Sequence, residues 1–511
     1  MSWPLIGCSA YDIEIPCLGL ALPPKPAPGM TYLRASQLGC ALDCDLKNGR
    51  NKYTGGTATD DGPRLNAAMA NASASNPVTL IIDGSALVSG LFLPEGGYWS
   101  IAGLGCGTGF YIKTGTNNDG IHNGSQAWAV TELGPPAPPR GRSVSLSNFT
   151  INGNAGNGRN GDSTAGFPQG NLKTGQECYP INLQNLNNIV IENVVIVNSP
   201  CYHVRLNNVG NVEISGCIVK SFGPNTDGVH IEGPANDIAI SNCQFGTGDD
   251  AIALNCPEGY SGNISNVAVS NCTFNSPTLM RLDTIEYAHG PAFYINNVTV
   301  NGCSGATVGP CFEIGDGAGA YAGAVSSLTI SNCSLSAPAI LDLWANFGSI
   351  VLQNLIFSPT GREAPGYAFA RTNLELLQPN SGIYTGVSLS FENCTFMGGG
   401  LSNVSALIVQ NTSTIATVAF DGLSLKQCTA QQLVNMISGS IGSLVLASVD
   451  SVNIKAAVSG GFSSIGVVSG AGVLATGWEF PDNVMANGVP YLSQTTGMPS
   501  IKVNGVVEAF S

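Results

Sequence analysis

Charge is scarce in this chain. Lys, Arg, Asp and Glu together make up 10% of its 511 residues and aromatic side chains 7%, so wherever ionisable groups gather they ask for an explanation. No apolar run approaches the roughly 18 residues that a membrane-spanning helix needs. The N-terminus also lacks the basic start and continuous apolar stretch of a secretory signal. The net charge of −14, from 33 acidic against 19 basic residues, argues against a nucleic-acid partner, whose phosphates demand a basic surface. Long helical patterns are nearly missing too. One good candidate spans residues 59–73 (TDDGPRLNAAMANAS), with an Asp/Pro start signal and a short apolar face from Leu65 to Met69.

What the chain does have is 65 glycines and heavy use of Asn and Ser, a composition suited to short strands joined by tight turns. Between residues 189 and 396 one pattern recurs: IVIENVVIVNS, VEISGCIVKS, IAISNCQFGT, VAVSNCTFNS, VTVNGCSGAT, LTISNCSLSA and LSFENCTFMG. Each is an alternating strand, an Asn/Gly turn and a second short strand. Cys217, Cys243, Cys272, Cys303 and Cys333 are 26, 29, 31 and 30 residues apart, and Cys394 follows after 61, about two periods. A fixed period of this kind is the mark of a solenoid in which each repeat is one coil. The expected fold is therefore all-β: a right-handed, single-stranded parallel β-helix with a short N-terminal cap helix and a small C-terminal β region. Residues 1–56 are expected to form an attachment or linker segment, 57–455 the β-helix with its active groove, and 456–511 a C-terminal β tail.

The cysteines of the repeat are expected to be small buried thiols stacked in the core. Cys8, Cys17, Cys40 and Cys44 lie before it and leave two bridges or a metal site open. Their spacings match no strong zinc pattern, and neither a metal nor a cofactor is assigned.

Another short strand recurs in each coil: YHVRL, DGVHI, DAIAL, LMRLD, CFEIG and ILDLW. Alternation turns Val204, Val229, Ile252, Met280, Phe312 and Leu341 inward. It turns His203, Arg205, His230, Glu232, Ala251, Ala253, Arg281, Asp283, Glu313 and Asp342 outward, onto one stacked face. At the strand starts on that face stand three carboxylates, Asp227 in NTDGVHIEG and Asp249 and Asp250 in GTGDDAIAL. Carboxyl groups held across a groove can deliver a proton to a glycosidic oxygen and activate a water. Crowding raises the pKa of at least one of them, which leaves an acid protonated near neutral pH. The candidate catalytic residues are therefore Asp227, Asp249 and Asp250. The candidate substrate-binding residues are His203, Arg205, His230, Glu232, Arg281, Asp283 and Glu313. The expected carboxyl separation is about 6.5–9.5 Å, that of an inverting hydrolase.

NTDG followed by an apolar residue and His, then GDD one coil later, resembles the polygalacturonases and related pectin hydrolases, a family of inverting β-helix enzymes. The resemblance implies that Asp249 is the general acid and that Asp227 and Asp250 position and activate water. It is strong from 180 to 290 and departs from the family on the next coils. Where the family has Gly-His-Gly this chain has SPTLMRL, with Thr278 near the place of the His; His289 lies too late in the coil to replace it. Where the family has Arg-Ile-Lys, which grips the galacturonate carboxylate, this chain has Glu313. A Glu there repels a uronate, and Arg281 is the replacement cation.

A second, looser resemblance is to phage tailspikes and similar virion-attached depolymerases, which share the opening DD-x-x-x-L-x-x-A pattern, here Asp60, Asp61, Leu65 and Ala68. It implies a homotrimer attached to a larger particle, at a virion surface or otherwise extracellular. The expected partner is a polysaccharide, with no nucleic acid and no membrane span. Two other readings stay open: a non-catalytic carbohydrate-binding adhesin or receptor-binding spike, and a polysaccharide lyase.

Overall fold

The computed structural model of the protein describes residues 19–22, 24–25, 29–105, 107–123, 137–155, 178–284, 292–315, 323–360, 367–372, 385–398, 404–409, 413–427, 432–458, 465–473, 476 and 478–509. Cys8, Cys17 and His289 lie outside the described residues. The chain divides into two compact units, one of residues 1–253 and 258–261, the other of residues 254–257 and 262–511.

Both units are built as right-handed parallel β-helix. In the first, Thr31–Arg34, Val78–Ile82, Gly97–Gly103, Gly141–Ser147, Ile181–Glu192, Val204–Ser215 and Val229–Ser241 pair in parallel, each with the next. A second parallel ladder runs through Ser85–Val88, Gly109–Ile112, Thr150–Asn152, Val195–Val197, Ile218–Lys220 and Gln244–Gly246. The single α-helix described, Gly62–Met69, carries Pro in its first turn and buries Leu65 and Met69, as its apolar face requires. The segment expected to be a linker is partly built into the coils. From Thr31 it pairs with Val78–Ile82, and it buries Ala35, Cys44 and Leu46.

In the second unit a parallel ladder runs through Ile264–Ser270, Tyr294–Asn301, Ala324–Ser331, Asn346–Gln353, Thr385–Glu392, Thr414–Lys426, Ser440–Val449 and Ile465–Ser469. A separate small sheet of Glu479–Phe480, Pro490–Ser493, Pro499–Val503 and Val506–Ala509, largely antiparallel, forms the C-terminal β region. Among the described residues no helix is long and apolar enough to cross a membrane.

The Asn/Gly turns explain why the period is written in those residues. Asn193, Gly216, Asn242, Asn271, Gly302, Asn332 and Asn393, each at the same corner of its coil, have positive φ, a conformation that Gly adopts freely and Asn tolerates best among L-residues. At this corner in the second unit the amides also join coil to coil, Asn332 donating to Asn301 at 2.7 Å and Asn354 to Asn332 at 3.1 Å. The residue after the corner points inward. Cys217, Cys243, Cys272, Cys303, Cys333 and Cys394 are all buried free thiols. Their S–H groups find carbonyls two residues back, as in Cys243 to Ser241 at 3.2 Å and Cys333 to Ser331 at 3.1 Å. Burial pushes the thiols of Cys311 and Cys394 up to about 12 and about 11, so they act as core residues rather than nucleophiles. Cys40 and Cys44 are free as well.

Candidate active site

The three aspartates come together because two motifs stack. Gly228 N–H donates to the carbonyl of Asp250 at 2.9 Å, and Asn225 N–H donates to Asp249 Oδ2 at 3.0 Å. Both motif glycines stand where neighbouring backbone leaves no room for a side chain. A Cβ on Gly228 would lie 2.4 Å from the Ala251 carbonyl oxygen, and one on Gly248 would lie 2.0 Å from that of Gly223. Thr226 completes the turn, its hydroxyl donating to Gly223 O and accepting from Gly248 N–H.

One oxygen of each of Asp227, Asp249 and Asp250 lies within 4.8 Å of one oxygen of each of the others. The cause is the stacking itself: Asp227 and Asp250 stand on adjacent coils, and adjacent parallel strands are only about 4.7–4.9 Å apart. Asp227 and Asp250 are buried, while Asp249 is partly exposed. Of the three, Asp249 is the most open to solvent.

Beside the aspartates lies a second cluster. His230 Nδ1 is 2.7 Å from Asp227 Oδ2, and its Nε2 is 2.8 Å from Glu258 Oε2. The imidazole stacks on the Tyr202 ring, with centroids 3.7 Å apart and planes 5° from parallel. Burial pulls the His230 pKa down, but Glu258 and Asp227 more than reverse it and raise it to about 10. Arg205 makes a bidentate pair with Glu232 at 2.6 and 2.9 Å and sits over the Tyr179 ring, 5.1 Å from its centroid. Burial pushes the Glu232 pKa up against the pull of Arg205.

The inward expectations hold: Val204, Val229, Ile252, Met280, Phe312 and Leu341 are all buried. The outward ones need correction. His203, Arg205, His230, Glu232, Ala251, Ala253, Asp283 and Asp342 are buried as well, and only Arg281 and Glu313 keep partial exposure, 27% and 17% at the side chain. In the first unit the cover is identifiable. Residues 258–261 fold down over the strand face, with Glu258 on His230, Tyr260 N–H 3.4 Å from Asn207 Oδ1, and the Tyr260 hydroxyl accepting from Asn185 at 3.0 Å. Tyr202 covers His230 from the side. His203 hydrogen-bonds through Nδ1 with the Asp227 carbonyl at 2.8 Å, and burial lowers its pKa to about 4. In the second unit Arg281 pairs with Glu313 at 3.4 Å, so the expected replacement cation is itself partly neutralised.

Sequence reasoning missed Glu258, Tyr202 and Tyr179. The interval from Cys243 to Cys272 is three residues longer than that from Cys217 to Cys243, which marks a longer turn in that coil but not the side chain it carries onto His230. The ligand atoms of His230, Glu232 and Glu258 lie close enough to hold a metal ion, as do those of the three aspartates. Glu232, however, is already engaged by Arg205, and His230 by two carboxylates.

Clustered carboxylates on a parallel β-helix are the equipment of a polysaccharide-degrading glycosidase. Residues 140–308, about a third of the chain and including all three aspartates, match glycosyl hydrolases family 28, and on this match the protein is a glycoside hydrolase. Its fold is similar to that of PfbA, a surface adhesin of Streptococcus pneumoniae, at a TM-score of 0.50 and 12% identity over 94% of this chain and 100% of that one. It is similar also to a tailspike protein of E. coli bacteriophage HK620, at a TM-score of 0.50 and 11% identity over 86% of this chain and 78% of that one. The family 28 exopolygalacturonase of Yersinia enterocolitica aligns over 78% of each chain at 11% identity, with a TM-score of 0.48. An adhesin and a tailspike share this fold, so the fold does not choose between binding and cleavage. That choice rests on the family match.

Proposed function

We propose that the protein cleaves glycosidic bonds in an extracellular or capsular polysaccharide. Asp249 delivers the proton to the leaving oxygen, and Asp227 and Asp250 hold and activate the attacking water. The observation that carries this reading is the meeting of the three carboxylates within 4.8 Å inside the segment that matches family 28. Exposure supports the division of roles, since the proton donor must touch the sugar and Asp249 is the accessible one. Asp227, beside the His230 cation, is suited to remain an anion.

Local charge favours a sugar without carboxylates. Five carboxylates gather here, Asp227, Asp249, Asp250, Glu232 and Glu258, and the cations paired with them among the described residues, Arg205 and His230, are both buried. A uronate would meet net negative charge. Inversion is proposed on the family 28 match. The looser resemblance to tailspikes supports a homotrimer fixed to a particle by its N-terminal segment, with residues 57–455 as the sugar-cleaving body.

The test is release of reducing ends from a panel of neutral and acidic polysaccharides, with the first-released anomer read by proton NMR. Activity on a neutral glycan that survives EDTA supports the hydrolase. Binding without release indicates an adhesin, and an unsaturated product lost on chelation indicates a lyase.

A further inference from the structure

The His230 imidazole is held between two carboxylates, and the stoichiometry of its hydrogen bonds carries an inference. A neutral imidazole has one N–H and can donate only once. Here both ring nitrogens are within donor distance of a carboxylate oxygen, 2.7 Å to Asp227 and 2.8 Å to Glu258. With both carboxyls ionised, as their ion pairs with the ring favour, two bonds of this length need two N–H groups. Glu258 comes from the turn that crosses the face of the coil, and its place there is tightly fixed. Gly259 has φ +65°, and a Cβ on it would lie 2.5 Å from Glu232 Oε2 and 2.6 Å from the Asn207 amide. Tyr260 latches the turn on Asn207 and Asn185.

We propose that Glu258 is a positioning residue: it keeps His230 an imidazolium, and the imidazolium fixes the Asp227 carboxylate in its orientation toward Asp249 and Asp250. This deepens the hydrolase reading and rests on it for its catalytic consequence. The charged groups that face His230 are Asp227 and Glu258 at its two nitrogens and Glu232 at 3.9 Å, itself tied to Arg205. Tyr202 covers the ring and excludes water from one face. Without Glu258, Asp227 still favours the cation, but burial of the ring pulls the other way. The imidazole then titrates within the working range, and deprotonation removes the donor from Asp227 or turns the ring away from it.

The experiment follows the imidazole directly and does not need a known substrate. The chain has four histidines, so the His230 resonance is assigned in the labelled full-length protein by its loss in His230→Gln. In the parent it is expected to remain that of an imidazolium to pH 9. In Glu258→Gln it is expected to titrate below pH 8, and Glu258→Asp should restore most of the difference. On a glycan that the parent cleaves, the ratio of the Glu258→Gln kcat to the parent kcat should fall at least tenfold between pH 6 and pH 9, since loss of the Asp249 proton slows both proteins alike. An unchanged His230 titration in a folded Glu258→Gln protein overturns the proposal. So does a kcat lowered by the same factor at every pH, because a scaffold residue would do that. If no glycan is cleaved by the parent while the His230 titration shifts as expected, the hydrolase reading fails and the charge relay stands.

Discussion

Asp249 differs from Asp227 and Asp250 in reaching solvent, and that difference decides which substitution tests the chemistry most cleanly. Asp249→Asn keeps size and hydrogen-bonding capacity, so the Asn225 N–H still finds an acceptor. Folding and glycan binding should persist while kcat falls by about a hundredfold or more, the usual contribution of a general acid. Steady-state kinetics beside a binding measurement reads both; near-normal turnover would move the acid elsewhere. Arg205 should behave in the opposite way. It was read from the sequence as a sugar contact, because alternation alone places it on the outer face, but its guanidinium is buried against Glu232. Arg205→Ala leaves that carboxylate without its partner and should cost about 3–5 kcal/mol in denaturant unfolding, a loss of stability rather than of affinity. Alternation was legible in the sequence; the cover over the face was not, because it comes from residues 258–261 and from Tyr202, whose positions depend on the fold.

The two buried histidines give the molecule a pH signature of its own. Burial lowers His203 to about 4, below its unfolded value of about 6.5. Its contribution is therefore complete above pH 6.5 and is lost as pH falls toward 4. His230, raised to about 10 by its two carboxylates, contributes fully below pH 6.5 and loses that contribution as pH rises toward 10. Denaturant midpoints for His203→Gln should lose part of the acid-side fall, and those for His230→Gln part of the fall between pH 6.5 and pH 8. If neither variant changes the curve, neither imidazole carries the charge state assigned to it.

At the scale of the element, the site depends on two turns rather than on the strands they join. Gly228 and Gly248 were visible in NTDG and GTGDD as turn residues. Only the structure shows that each faces a carbonyl oxygen of neighbouring backbone. Gly248→Ala and Gly228→Ala each place a methyl group where the backbone must yield, an overpacking cost of about 1–3 kcal/mol. Denaturant midpoints should fall at nearly constant slope, and turnover should fall further than the lost stability explains, because the shifted turns carry Asp227 and Asp249. The coil register was legible for a related reason: Asn or Gly at each left-handed corner and Cys just inside it are requirements of one turn geometry repeated. The turn at 258–261 breaks that repetition, so nothing in the periodicity could foretell which side chain it would lay on His230.

At the scale of the whole molecule the scarcity of charge returns. Exposed coil positions in the second unit include Val308, Ile356 and Val387, which are 56%, 49% and 62% exposed, among Ser, Thr and Asn neighbours. Such faces are weakly polar and carry little of the like charge that keeps chains apart. Partner chains of the same sequence would cover them, and closed symmetry is the usual way for identical chains to do so. The trimer is proposed on the resemblance to tailspikes, and light scattering at micromolar concentration would show it as three times the 52.4 kDa of one chain. Val387→Lys, placed on an exposed strand position, should then weaken association without lowering the unfolding midpoint of the dissociated chain. A parent protein that scatters as one chain removes the trimer and with it the support for a particle-bound spike. The hydrolase argument would survive that result, since Asp227, Asp249 and Asp250 and the groups that hold them all belong to one unit of one chain.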